Sequence, residues 1–220
     1  MNEQELIDKT TAFVKETLAG AEGGHDWFHI ERVLNNAQLI VKGEKADRLV
    51  VTLGALLHDI ADAKFHNGDE TIGPRVASEF LMRQNVASTV IAQVVEIIEH
   101  ISFKNSLSET GNTPVRSKEF AIVQDADRLD ALGAIGIARA FNYGGFRNRE
   151  LYNPEQPPNL HLSKEAYKAA KSPTINHFYE KLLLLKDQMN TQTAKKIAAK
   201  RHRYMEKFLD QFYDEWQGKK

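Results

Sequence analysis

The sequence predicts an all-α protein, a single-domain helical bundle spanning residues 1–220. Apolar residues recur at three- and four-residue spacing along nearly the whole chain. Capping residues and glycines stand where such helices would start and stop. Only two polar, turn-rich stretches interrupt the pattern, residues 102–117 and 143–161.

The first helix carries Leu6, Ile7, Phe13, Val14 and Leu18 on one stripe and stops near Gly20. A second follows Gly23-Gly24 with Asp26 as its cap, carries Ile30, Val33, Leu34, Ala37, Ile40 and Val41, and stops at Gly43. The third runs from about Asp47 through Leu53 and Leu57 into His58-Asp59. Two more cover about 74–84, with Pro74 suited to a first turn, and 88–101. The β-branched run Val94–Ile98 could be read as a strand, but its length and flanks favour a buried helix. A long helix covers about 118–142. Two amphipathic helices, about 174–189 and 191–216, close the chain; the last carries Ile197, Tyr204, Phe208 and Phe212.

Composition narrows the function. Lys and Arg number 29 against 30 for Asp and Glu, a formal charge of -1, so neither a nucleic-acid polymer nor an anionic membrane is an expected partner. There is no cysteine, which excludes disulfides, zinc-thiolate sites and cysteine nucleophiles. The acidic, amphipathic start MNEQELIDKTTAF lacks the features of a signal peptide, and no apolar stretch is long enough to span a bilayer, so the expected location is cytoplasmic.

Charged residues on apolar helices carry the chemistry. His58-Asp59 ends the apolar run LGALLHDI, where a carboxylate is costly unless paired or bound to a metal. Adjacent residues point about 100° apart on a helix, so both reach one ion only near a helix end or bend. His29 lies on the inward stripe with Val33, Ala37 and Ile40, either as a satisfied core histidine or as a ligand. Asp127 shares a face with Phe120, Val123, Ala131 and Ala134, where a buried carboxylate needs a cation or several donors. Two inward histidines and two inward aspartates on three helices suggest one shared cation.

The fragments GHDWFHIERV, LLHDIAD, IIEHISF and QDADRLDALGAIGIARAF resemble the HD-domain (His-Asp) metal-dependent phosphohydrolases, in particular the small stand-alone bacterial type. The resemblance covers about residues 20–142, the metal-site core, on which C-terminal helices of about 163–216 would pack. It implies one divalent metal held by His29, His58, Asp59 and Asp127, and hydrolysis of phosphate esters or anhydrides. Mixed nitrogen and oxygen ligation without thiolate suits Mn, Co, Ni, Fe or Mg, and a second metal is left open. Asp59 would serve catalysis as a ligand. Asp62, one turn on, would position the attacking water or protonate the leaving group, as an acidic residue does there in related enzymes; the alternative is a solvent-exposed turn residue.

A polyphosphate substrate needs cations around it, which makes His25, Lys64, Arg128 and Arg147 candidate substrate-binding residues; each could equally be a surface charge or salt-bridge partner. His100 ends an apolar helix and is assigned to substrate contact, with a core histidine or second-metal ligand as alternatives. Asp130 could orient a neighbouring His or Arg. Gly144-Gly145 with Phe146, Arg147 and Arg149 could close over a nucleotide or form a solvated loop.

The expected substrate is thus a small phosphate compound, a nucleotide, and the resemblance favours nucleoside triphosphate pyrophosphohydrolysis by metal-activated water. Alternatives are a nucleotidase, an alarmone hydrolase (weakened because Ala63 follows Asp62), a di-iron HD oxygenase using His66 and His100, and a non-catalytic nucleotide-sensing domain. A homodimer is left open.

Overall fold

The computed structural model describes residues 1–20, 26–61, 69, 71–101, 116–160 and 172–219. Among them all regular structure is helical, as the spacing of apolar residues predicts. The chain divides into two compact units, Met1–Asp127 and Arg128–Lys220.

The first unit is built around α3 (Arg48–Leu57), on which α1 (Glu3–Thr17), α2 (Trp27–Val41) and α5 (Ser88–His100) pack, while α4 (Ile72–Arg83) packs on α5. α3 is buried at every residue from Val50 to Leu57, so this apolar run has no solvent side. Val50, Val51, Leu53, Leu56 and Leu57 are each fully buried, which contributes ~1.5–3 kcal/mol per side chain. Gly54 lets the neighbours come close: a Cβ there would lie 2.9 Å from Ile97 Cδ1 and 3.3 Å from Val123 Cγ2. The Val94–Ile98 run is helical, with Val94 and Ile97 buried against this core.

Side-chain caps set the helix starts. Asn2 and Glu5 form a capping box at α1, and Gly20 takes φ 81 just past its end. Asp26 accepts the His29 amide at 3.0 Å and starts α2. Asp47 accepts the Leu49 and Val50 amides and starts α3. Each cap satisfies donors that the first helical turn would otherwise leave unpaired.

α6 (Lys118–Asp130) reaches the boundary between the units. The single helix predicted over 118–142 is two: α6 ends at Asp130, Leu132 is extended, and α7 covers Gly133–Phe146. Gly133 takes φ 74, a left-handed backbone that a side chain resists, and a Cβ there would sit 3.1 Å from Arg201 Cβ. α7 also takes in the first four residues of the loop predicted over 143–161.

In the second unit α7 packs against α9 (Gln192–Trp216) and α8 (Thr174–Glu180). The helix predicted over 174–189 also breaks, at Lys181 (φ -145, ψ -57), and continues as the 3-10 helix Leu182–Gln188. Three residues per turn place Leu182 and Leu185 on one side, and both are buried. The buried line of α9 is Ala194, Ala198, Met205 and Leu209, whereas Tyr204 of the predicted stripe is exposed. Alanines, neutral in a hydropathy pattern, supply half of that line. Phe141, Phe178, Phe208 and Phe212 form a ring cluster with centroids 5.9–6.2 Å apart.

His177 on α8 makes this unit acid-sensitive. Burial, then Lys181 and Arg149, lower its pKa from 6.5 to about 3. The unfolded chain therefore takes up a proton below about 6.5 that the folded one refuses, and stability falls as pH drops from 6.5 towards 3. At pH 5 this amounts to ~2 kcal/mol. Urea unfolding from pH 7 to 5 is expected to show a shallower loss in His177→Gln than in the wild type; equal slopes contradict the assignment.

Candidate metal centre

The site lies in the first unit, at the C-terminal end of α3. The helix stops at Leu57 with His58 as its C-cap, and residues 58–61 form a turn. This is the helix end that adjacent His and Asp side chains need in order to converge. The ligand atoms of His29, His58 and Asp59 all lie within 4.8 Å of one another, and these three residues could hold a metal ion. The His29 and His58 rings meet edge to face with centroids 5.4 Å apart.

Each side chain has a local reason for its placement. His29 is the third residue of α2, its amide held by the Asp26 cap, and is 2% exposed. His58 is 7% exposed, and its Nδ1 lies 2.9 Å from the Ala55 carbonyl oxygen. Only a protonated Nδ1 can donate to that oxygen, which leaves the Nε2 lone pair unprotonated in the neutral ring. Nε2 is buried and has no hydrogen-bond partner among the described residues. A buried acceptor without a donor is costly, and a cation is the partner it fits.

Asp127 borders the group through His29: its Oδ1 stands 3.5 Å from His29 Nε2. That is longer than a charge-assisted hydrogen bond, ~2.7–2.9 Å. The spacing falls within ion-pair range, and Asp127 stands outside the group in which His29, His58 and Asp59 converge. The Asp127 side chain is 37% exposed, which corrects the inward placement read from the sequence. The stripe that suggested it ran on through Ala131 and Ala134, but the break after Asp130 ends that register. The fully buried carboxylates of α6 are Asp125 and Asp130.

His100 ends α5, half-buried, and is not in the His29–His58–Asp59 group. Arg128 Nη1 donates to the Gln188 carbonyl within the second unit. Arg147 is the exposed C-cap of α7. Asp130 does pair with an arginine, accepting Arg139 Nη1 at 2.7 Å. His25, Asp62, Lys64 and His66 lie outside the described residues. Sequence reasoning missed Asn36, a buried amide on the His29 face of α2 that donates to the Ala126 carbonyl. The signal was present: an Asn seven residues after His29 on an otherwise apolar stripe.

No helix among the described residues is long and apolar enough to cross a membrane.

Residues 27–132 match the HD domain family model. The chain is 37% identical over 213 residues to the uncharacterized protein YpgQ of Bacillus subtilis (strain 168), covering 96% of this chain and 94% of that protein. Among solved structures it is similar to an HD-superfamily hydrolase from Bacillus thuringiensis (TM-score 0.78, 43% identity, covering 98% and 99% of the two chains). It is also similar to Bacillus subtilis YpgQ in complex with ADP (TM-score 0.76, 34% identity, 98% and 97%). With this likeness over nearly its whole length, and with histidines and an aspartate converging at a helix end, the chain belongs to the HD-domain family.

Proposed function

We propose that the protein is a metal-dependent phosphohydrolase that releases pyrophosphate from a nucleoside triphosphate. The observation that carries the metal half of this reading is the buried, partnerless Nε2 of His58 beside His29 and Asp59. The nucleotide half is supported by the ADP complex of the similar YpgQ.

His29, His58, Asp59 and Asp127 would hold one divalent ion. When bound, such an ion supplies a Lewis acid and lowers the pKa of water. Ala55 keeps His58 in the tautomer that presents Nε2, and burial of both histidines excludes competing water from them. In the reaction a water oxygen forms a bond to the α-phosphorus, and the bond from that phosphorus to the bridging oxygen breaks. Pyrophosphate leaves with the electron pair. Asp62 is assigned the positioning of the attacking water or the protonation of the leaving group, and His25, Lys64 and His100 the phosphate charge.

The test is release of phosphate and pyrophosphate from a nucleotide panel by chelated protein reloaded with Mn²⁺, Co²⁺, Ni²⁺ or Mg²⁺. Metal-dependent pyrophosphate release from triphosphates is expected. Phosphate release from monophosphates would make it a nucleotidase instead. Silence with every metal would reject hydrolysis of nucleotides and favour an oxygenase or a nucleotide-sensing domain.

A further inference from the structure

We infer that Asn36 is a positioning residue of the metal centre, holding the Ala126 carbonyl and so fixing where α6 presents Asp127 to His29. This rests on the reading of His29, His58, Asp59 and Asp127 as ligands.

Asn36 stands seven residues after His29, two turns along α2, so the two side chains leave the same face of the helix. That face is otherwise Val33, Ala37 and Ile40, all fully buried. Asn36 itself is 7% exposed, and a buried amide is unfavourable unless its hydrogen bonds are met. Its Nδ2 donates to the Ala126 carbonyl oxygen at 3.2 Å. The acceptor belongs to the residue immediately before Asp127.

Ala126 lies inside α6, whose own hydrogen bonding already uses that carbonyl, and an oxygen with two lone pairs can accept both. α6 therefore does not need Asn36 in order to be a helix. What the bond adds is the register of α2 against α6. That register matters because Asp127 is not fixed by burial: its side chain is 37% exposed. The backbone beneath it is held by Asn36. Gln38 ties the same helix to α3, donating to Thr52 Oγ1 at 2.7 Å. α2 is thus pinned by polar bonds to α6, which carries Asp127, and to α3, whose C-terminal end leads into His58 and Asp59.

The test compares metal-stripped full-length wild type, Asn36→Leu and Val33→Ala by calorimetric titration with Mn²⁺, Co²⁺ and Mg²⁺, with the melting temperature of each stripped form recorded. Asn36→Leu removes the donor at similar volume. Val33→Ala loosens the same face of α2 without touching the Ala126 carbonyl. Asn36→Leu is expected to bind its best metal ~10-fold more weakly, with Val33→Ala at wild-type affinity despite a melting temperature at least as low. Wild-type affinity in Asn36→Leu would overturn the inference, and so would an equal weakening in Val33→Ala, which would mark a general loosening. A wild type that takes up none of the three metals would instead overturn the metal reading beneath it.

Discussion

Asp59→Ala is expected to lower metal-dependent hydrolysis by ~10³-fold or more, equivalent to ~4 kcal/mol of activation free energy, while the bundle stays folded. The two halves of this expectation have separate causes. Asp59 is the carboxylate of the His29–His58–Asp59 group, and without it two neutral imidazoles face a dication with a single half-exposed carboxylate, Asp127, to balance it. Asp59 is itself only partly buried and lies in the turn after α3, so its loss leaves no cavity in the core. The stripped variant should unfold within about 0.5 kcal/mol of the stripped wild type, as for a substitution outside the core. Turnover near the wild-type rate, or loss of turnover only because the variant is unfolded, would contradict the role.

Gly136→Ala is expected to destabilise the second unit by ~3 kcal/mol or more, beyond the usual range for an added methyl group. A Cβ at this position would lie 2.2 Å from the Ala131 carbonyl oxygen and 2.4 Å from its carbon. Both are backbone atoms of the turn between α6 and α7, so no side-chain rotation relieves the contact. Gly54→Ala is the useful comparison, because its nearest obstacle is the tip of Ile97, at 2.9 Å. A terminal methyl can move, and the cost there should be ~1 kcal/mol. Denaturant unfolding of both variants checks the order, which is contradicted if Gly54→Ala proves the more damaging.

The same turn shows where sequence reading stops. QDADRLDALGAIGIARAF has helical spacing throughout, and nothing in its apolar pattern marks the break after Asp130. The break is made by backbone geometry at Gly133 and by the close approach at Gly136, which periodicity does not register. Extending one helix across it put Asp127 on an inward stripe with Ala131 and Ala134, whereas the side chain lies at the rim. The 3-10 segment after Lys181 escaped for a similar reason: Leu182 and Leu185 suit a period of three as well as one of 3.6.

Other features were legible because they rest on local chemistry. Asp26 and Asp47 cap the helices their positions suggested, and the apolar α3 lies wholly inside. A carboxylate and an imidazole ending an apolar run pointed to His58-Asp59, and the misplaced polarity of His29 pointed to the same place. Arg128 and Arg147 were chosen for charge alone. Arg128 donates to the Gln188 carbonyl and Arg147 is exposed, and charge without a burial signal does not say which way a residue faces.

The most direct test of the central claim is anomalous diffraction from crystals of the protein grown with Mn²⁺. One peak is expected within ~2.0–2.4 Å of His58 Nε2, with His29, Asp59 and Asp127 completing the protein ligands. A peak elsewhere, or none at full Mn²⁺ concentration while His58 Nε2 is met by a protein donor, would contradict the assignment of this cluster as the metal centre.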